Sequence, residues 1–284
     1  MLSKVVAAAV LLAGAHARVC PPVVPVLPLT GGKFHGSPAV PVTLPGRQTD
    51  ELTQRCLDPA QVLPPIEANQ RLLKIAIGHG IQNYTCADAG ANVTTAGALA
   101  VLYDITHLYP GTKNTGLPAE NFNSLATTVL WSQDIPLNLQ NPALAFPGSP
   151  SNPNAGSEAS YGAVVANPWL PPADLTLGGL TIPFLGRHYF DISNSPTFDL
   201  TSANLLASVS RGGGCKAPAT ADKGVLGTGA VDWLQLKDNG KGISRGVSFV
   251  YRVITVGGVS QSCATLAAPK GSVPYTAFYW FFGV

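Results

Sequence analysis

The chain has 284 residues, with 17 basic side chains against 15 acidic ones, and only 11% of the sequence is charged. Its Lys and Arg residues are scattered singly, which excludes a nucleic-acid-binding face, because such a face needs concentrated positive charge. The length fits one large domain with loops, or one domain plus an extended segment.

The chain opens MLSKVVAAAVLLAGAHA. Lys4 precedes an apolar run at 5–15, and Ala15 and Ala17 stand at the spacing a signal peptidase accepts. Residues 1–17 are therefore expected to be a secretory signal peptide cut after Ala17. The run is shorter than the roughly 20 residues of a membrane span, and no second such run follows. Cleavage removes Lys4 and His16, so the formal charge falls from +2 to +1. The mature protein is expected outside the cell, secreted or in the cell wall, with no membrane span.

Residues 18–66 are rich in proline: CPPVVPVLPLTGG is followed by SPAVPVTLPG. Proline fixes φ and removes backbone donors, so this stretch reads as an extended arm. TDELTQRCLDPAQ is its one short helix candidate, capped by Thr49 or Asp50 and stopped by Pro59.

From residue 72 the pattern turns to strands punctuated by glycine and proline. Candidates are 72–86, 98–105, 127–131, 184–191, 205–210, 230–237, 247–256 and 273–282, all rich in Val, Ile, Tyr, Phe and Trp. VSFVYRVITVGG alternates most clearly: Val247, Phe249, Tyr251 and Val253 share one face, and Ser248, Val250, Arg252 and Ile254 the other. Gly257-Gly258 reads as a hairpin turn. Long amphipathic helical patterns are missing. These features predict an all-β fold, a single antiparallel sandwich or a partly closed barrel. Between about 108 and 182 the texture is rich in Pro, Asn, Ser and Gly, and reads as a loop-rich insertion.

GHGIQNYTC, residues 78–86, concentrates the most chemistry in the fewest residues. Strict alternation puts Ile75, Ile77, His79, Ile81 and Asn83 on one face, but Asn83-Tyr84-Thr85 is a glycosylation sequon and a glycan cannot enter a core. Either Asn83 is unmodified or a bulge at 78–80 flips the parity. The flip is preferred, since it turns Asn83 to solvent and Gln82, Tyr84 and Cys86 inward. Asn92-Val93-Thr94 is the second sequon, and both mark surface positions in a secreted chain. Cys20, Cys56, Cys86, Cys215 and Cys263 are an odd set in an oxidising compartment, so at most two bridges form within the chain.

GHGIQNYTC, GALAVLYD, GRHYFDISNSPTFDL, TGAVDWLQLK, VYRVITVGGVSQSC and VPYTAFYWFFG occur in an order that resembles the DUF3455 family, a domain of unknown function in secreted fungal and bacterial proteins. The resemblance spans 67–284 and makes 108–182 an elaboration of one branch. It implies a Cys86–Cys263 disulfide, since both cysteines lie in family motifs at strand ends. Cys20–Cys56 is then expected to tether the arm, with Cys215 left over. Fungal members of the family are often labelled malate dehydrogenase. The residues argue against that label: GVLGTGAVDW and SRGGGCK are not G-x-G-x-x-G, and neither opens a helix that could take a pyrophosphate.

Other chemistries find little purchase. His35, His79, His107 and His188 show no metal-ligand spacing, and no cofactor or metal is expected. There is no G-x-S-x-G elbow. Asp104, Asp191, Asp199 and Asp232 could supply paired carboxylates, but read more simply as solvated loop acids. On a strand, His188 and Phe190 share one face and Asp191 the other, so His188 and Asp191 form no local chelate. Trp131, Trp169, Trp233 and Trp280 could form a sugar-stacking face. Trp233 and Trp280 read as core, and Trp169 as the better exposed contact.

The expectation is a secreted, non-catalytic β-domain that binds a small apolar ligand, a wall polysaccharide or a partner protein. One rival is an extracellular enzyme with a histidine-centred or metal-assisted site, its candidate pocket formed by His79, Gln82, His188 and Asp191. The other is a secreted effector or surface protein acting on a host protein.

Overall fold

Alternation along β1 (Arg71–Thr85) sets the architecture, because both of its faces are buried. Ile75, Ile77 and Ile81 belong to one apolar cluster, while Ala76 belongs to another. A strand buried on both sides needs a layer on each. The computed structural model, which describes residues 63–266 and 268–284, supplies them as the inside and the outer covering of a barrel. Residues 1–17, most of the Pro-rich arm, its expected helix, His35, Cys20 and Cys56 lie outside the described residues.

The barrel is closed and antiparallel. β1 is followed by β2 (Thr94–Asp104), β7 (Phe184–Phe190), β8 (Pro196–Leu200), β9 (Leu205–Cys215), β10 (Trp233–Asp238), β11 (Phe249–Gly257) and β12 (Lys270–Gly283), which closes back on β1. Each strand thus pairs with its sequence neighbours in the barrel, an up-and-down meander. Closure removes the edges that an open sheet would expose. Of the two expected forms, sandwich or barrel, the chain takes the barrel.

Between β2 and β7 the chain leaves the barrel. It forms α1 (Ala119–Ser132) and two short hairpins, β3 (Gly148–Ser149) with β4 (Asn152–Pro153) and β5 (Leu175–Leu177) with β6 (Leu180–Ile182). α1 corrects the expected strand at 127–131, and with it the reading that long amphipathic helical patterns are missing. The β-branched run Thr127-Thr128-Val129 looks strand-like. However, Phe122, Leu125, Ala126, Val129 and Leu130 recur at helical spacing and form the buried face, with Glu120 in the first turn. Tertiary packing overrides local propensity here. β8, the strand absent from the sequence reading, lies in the PTFDL end of the GRHYFD motif.

The lumen holds side chains from every barrel strand, among them Ala76, Leu102, Leu185, Phe198, Ala207, Leu236, Val250, Tyr275, Tyr279 and Phe281. Small residues on β1 and β2 face large ones on β12, as an eight-stranded barrel just wide enough for side chains requires. Gly78 shows the fit: a Cβ there would stand 2.6 Å from the Tyr279 ring. At Gly80 it would stand 2.0 Å from the Leu99 carbonyl oxygen, so β2 can approach only a glycine.

The two glycines of GHG therefore clear the lumen side rather than forming a bulge. β1 pairs with β12 without a register shift from Lys74 to Thr85, which corrects the expected parity flip at 78–80. The irregularity lies instead opposite β2, between Gln82 and Tyr84, where Gly97 takes φ +101°. No flip is needed, because the outer covering buries His79 and Ile81 but leaves Asn83 half-exposed.

Along β11, Tyr251 and Val253 join the outer cluster and Val250 the lumen, as alternation predicts, but Val247 also joins the lumen. The Gly257-Gly258 pair makes no tight hairpin. β11 ends at Gly257, and β12 does not begin until Lys270. Among the described residues no helix is long and apolar enough to cross a membrane.

Candidate functional site

The four residues expected to share a pocket do not converge as a set: Gln82 and His188 share the lumen side, and His79 faces the other way. His79 sits between two lumen-facing glycines and so faces outward. Its Nδ1 lies 3.1 Å from Thr276 Oγ1, and its ring is fully buried. Burial pushes its pKa down to about 4, opposed by the Tyr275 carbonyl and by the Gln133 and Asp134 backbone beyond α1. His188 faces inward, its ring stacked on Phe198 at 4.0 Å between centroids. His188 Nδ1 lies 2.9 Å from the Thr197 carbonyl, to which it donates. Burial takes this pKa to about 4 as well, with a smaller push from the Arg252 charge. Both rings are neutral at neutral pH, on opposite sides of one barrel wall.

Gln82 reaches the lumen side and donates from Nε2 to the Gly97 carbonyl at 2.8 Å. Asp191 is a turn residue: its Oδ1 accepts the Ser193 and Ser195 amides, each at 2.8 Å. That bonding fixes the β7–β8 turn, as Asp side chains commonly do. The expected pocket of His79, Gln82, His188 and Asp191 is thus corrected, for a simple reason. Residues paired across a barrel wall share a face only at matching parity, and His79 and His188 have opposite parity. Among the described residues no group of three His, Cys, Asp or Glu side chains is placed to hold a metal ion.

Concavity lies instead on the outer covering. A cleft of about 560 Å³ opens between the end of α1, the β3–β4 hairpin, and the loops that leave β9 and β11. Trp131, Pro150, Pro153, Asp222, Leu226 and Gln261 are among its lining residues. Trp131 donates from Nε1 to Asp222 Oδ2 at 2.7 Å, while Asp222 Oδ1 accepts the Gly224 amide at 2.8 Å. One carboxylate thereby fixes both the indole and the loop that forms the opposite wall. Gly224, at φ +73°, packs that loop onto β11; a Cβ there would meet Gly257 Cα at 2.4 Å.

The third wall is fixed by Glu158, whose buried carboxylate accepts the Ser260 hydroxyl at 2.6 Å and the Gln261 amide. The cleft thus combines an immobilised aromatic face, two proline rings and polar groups at its rim. Trp131 was visible in the sequence as one of four tryptophans; Asp222 carried no signal there. Trp233 and Trp280 are buried, as expected. Trp169 is half-buried rather than an exposed contact: the Arg187 guanidinium lies 4.9 Å from its ring, and Tyr189 meets it edge-on.

Cys86 and Cys263 are bonded, joining the end of β1 to the loop before β12 with Cα atoms 5.6 Å apart. Cys215 is also disulfide-bonded, and its partner lies outside the described residues, which corrects the expectation that it is left over. Asn83 is half-exposed and accepts from Ser272 Oγ at 2.8 Å; Asn92 is exposed.

Residues 67–283 match the family model DUF3455, described as a protein of unknown function. No curated protein and no solved structure matches the chain.

Proposed function

The chain belongs to the DUF3455 family, whose description assigns no activity, and we propose that it is a secreted, non-catalytic binding domain whose outer cleft takes a segment of wall polysaccharide. The observation that carries this reading is the indole of Trp131, held by Asp222 at the wall of a solvent-facing cleft. The apolar face of a sugar ring stacks on such an aromatic surface, and its hydroxyls need polar groups at the rim. Asp222 and Gln261 are there to meet them.

Two of the other ligand classes fit less well. A small apolar ligand needs an enclosed apolar cavity, whereas the lumen is filled by Tyr279, Phe198 and Phe281. A histidine-centred enzyme needs its groups to converge, and His79 and His188 face opposite ways. Secretion rests on the N-terminal pattern at 1–17, and the Cys86–Cys263 bond is compatible with it.

Retention on insoluble chitin, β-glucan and cellulose tests the proposal. The wild-type protein is expected on at least one of these, and Trp131→Ala is expected to wash through. Failure of the wild type to bind any of them overturns the reading, as does equal retention of Trp131→Ala.

A further inference from the structure

The two ends of the barrel treat their cations differently. Near the start of β1, Lys74 Nζ lies 2.7 Å from Asp104 Oδ2, with both side chains largely buried. Asp104 Oδ1 in turn accepts the Thr106 amide at 2.9 Å, so that charge is neutralised and its counter-ion is held. Toward the other end, Arg252 on β11 has no carboxylate within 4.0 Å among the described residues. Its Nε and Nη2 both donate to one neutral acceptor, the Asp232 carbonyl, at 3.1 and 2.9 Å.

Arg252 points to the lumen side. It is flanked in register by Leu234 and Tyr279, and alternates with Tyr251 and Val253 of the outer cluster. A second guanidinium reaches the same place. Arg211 Nη2 and Leu234 Cδ2 both lie 2.7 Å from where a Cβ at Gly214 would stand, so the arginine folds across the glycine onto Leu234. Leu234 on β10 thus lies between two arginines from the strands on either side, Arg211 exposed on β9 and Arg252 half-buried on β11. The nearby carboxylate of Asp232 is already taken by Lys216 at 3.0 Å.

We propose that Arg211 and Arg252 form an anion site at this mouth of the barrel, suited to the carboxylate of an organic acid or an acidic sugar. A half-buried guanidinium is costly without a counter-charge, and its planar fork matches a carboxylate bidentately. With Nε and Nη2 committed to the Asp232 carbonyl, the guanidinium's other side-chain partner is the Tyr279 phenol, and both partners are neutral, so the charge itself is uncompensated. The charge is felt throughout the mouth: burial raises the Tyr279 phenol, and Arg252 opposes that rise, as it does at Tyr84 and Tyr275. The site is separate from the Trp131 cleft and does not depend on a polysaccharide binding there.

The test uses the full mature protein and its thermal unfolding midpoint. Sodium acetate, sodium glucuronate and sodium phosphate are each compared with sodium chloride at matched ionic strength. Acetate, glucuronate or both are expected to raise the midpoint by about 2–4 °C above chloride, as a ligand held well above its Kd would. Acetate alone assigns the site to small organic acids, and glucuronate alone to acidic sugars. Arg211→Gln, an exposed change that leaves the core intact, is expected to at least halve the rise. Arg252→Lys is expected to weaken it further, and Trp131→Ala to leave it whole. No rise above chloride overturns the proposal, as does the same rise in Arg211→Gln. A larger rise in phosphate than in either carboxylate overturns the carboxylate assignment.

Discussion

The two sides of the β1 wall are both buried, yet they are built for different ends. The inner side is a jigsaw in which Gly78 yields to Tyr279 and Gly80 to the β2 backbone. The outer side is layered: α1 lays its apolar face on the barrel, Phe122 against Phe278, and the loops around it are tied by carboxylates, Asp222 to Trp131 and Glu158 to Ser260. An interior packed with large side chains serves mainly to stabilise the fold. A covering assembled from separate pieces leaves a seam, and the cleft lies in that seam. The same face of the chain that looked like an active site in the sequence therefore serves the barrel, and recognition moves to the segments around it.

Substitutions on the two sides sharpen the contrast. The largest effect is expected at Gly80→Val, where a side chain would meet the Leu99 backbone at 2.0 Å. No folded protein should be recovered, as judged by circular dichroism of the purified fraction. Phe198→Ala empties the lumen beside His188 and is expected to cost about 3–5 kcal/mol in urea unfolding. Replacing Cys86 and Cys263 together by serine releases the tie between the two ends of the barrel sequence, separated by 177 residues. About 2–5 kcal/mol should be lost. Trp131→Ala, on the outer seam, should cost only about 1 kcal/mol while abolishing polysaccharide retention.

The buried histidines give a pH test of the same wall. His79 and His188 have folded pKa values near 4, below the ordinary 6.5. Between those values the unfolded chain binds more protons than the folded one, so stability rises with pH through this window. It is complete above about pH 6.5 and falls toward pH 4, by roughly 3 kcal/mol per histidine at most. Urea midpoints between pH 4.5 and 7.5 should show this slope, and His188→Gln should flatten it by about half. An unchanged slope would mean that His188 is hydrated rather than sealed in the lumen.

Much of the barrel was legible because a strand with one or two buried faces announces itself by alternation and β-branched content. Val250, Tyr251 and Val253 fell on the sides their order demanded. Closure was not legible, because it depends on β1 pairing with β12 across the whole domain. α1 was misread at Thr127-Thr128-Val129, where local composition and helical spacing disagree and packing against the barrel decides. The candidate site failed for a related reason. His79 and His188 each looked reactive in isolation, but whether they meet depends on parity carried around the barrel through β2. Trp131 could be named but not placed. Asp222, which orients it, sits in a loop with no periodic pattern to mark it.

The claim that polysaccharide is recognised at the outer seam, and not in the lumen, is tested most directly by intrinsic tryptophan fluorescence during titration with soluble chitin and β-glucan oligosaccharides. At least one series should give a saturable change that disappears in Trp131→Phe and survives in His188→Gln. A change that persists in Trp131→Phe, or vanishes in a folded His188→Gln protein, would contradict it.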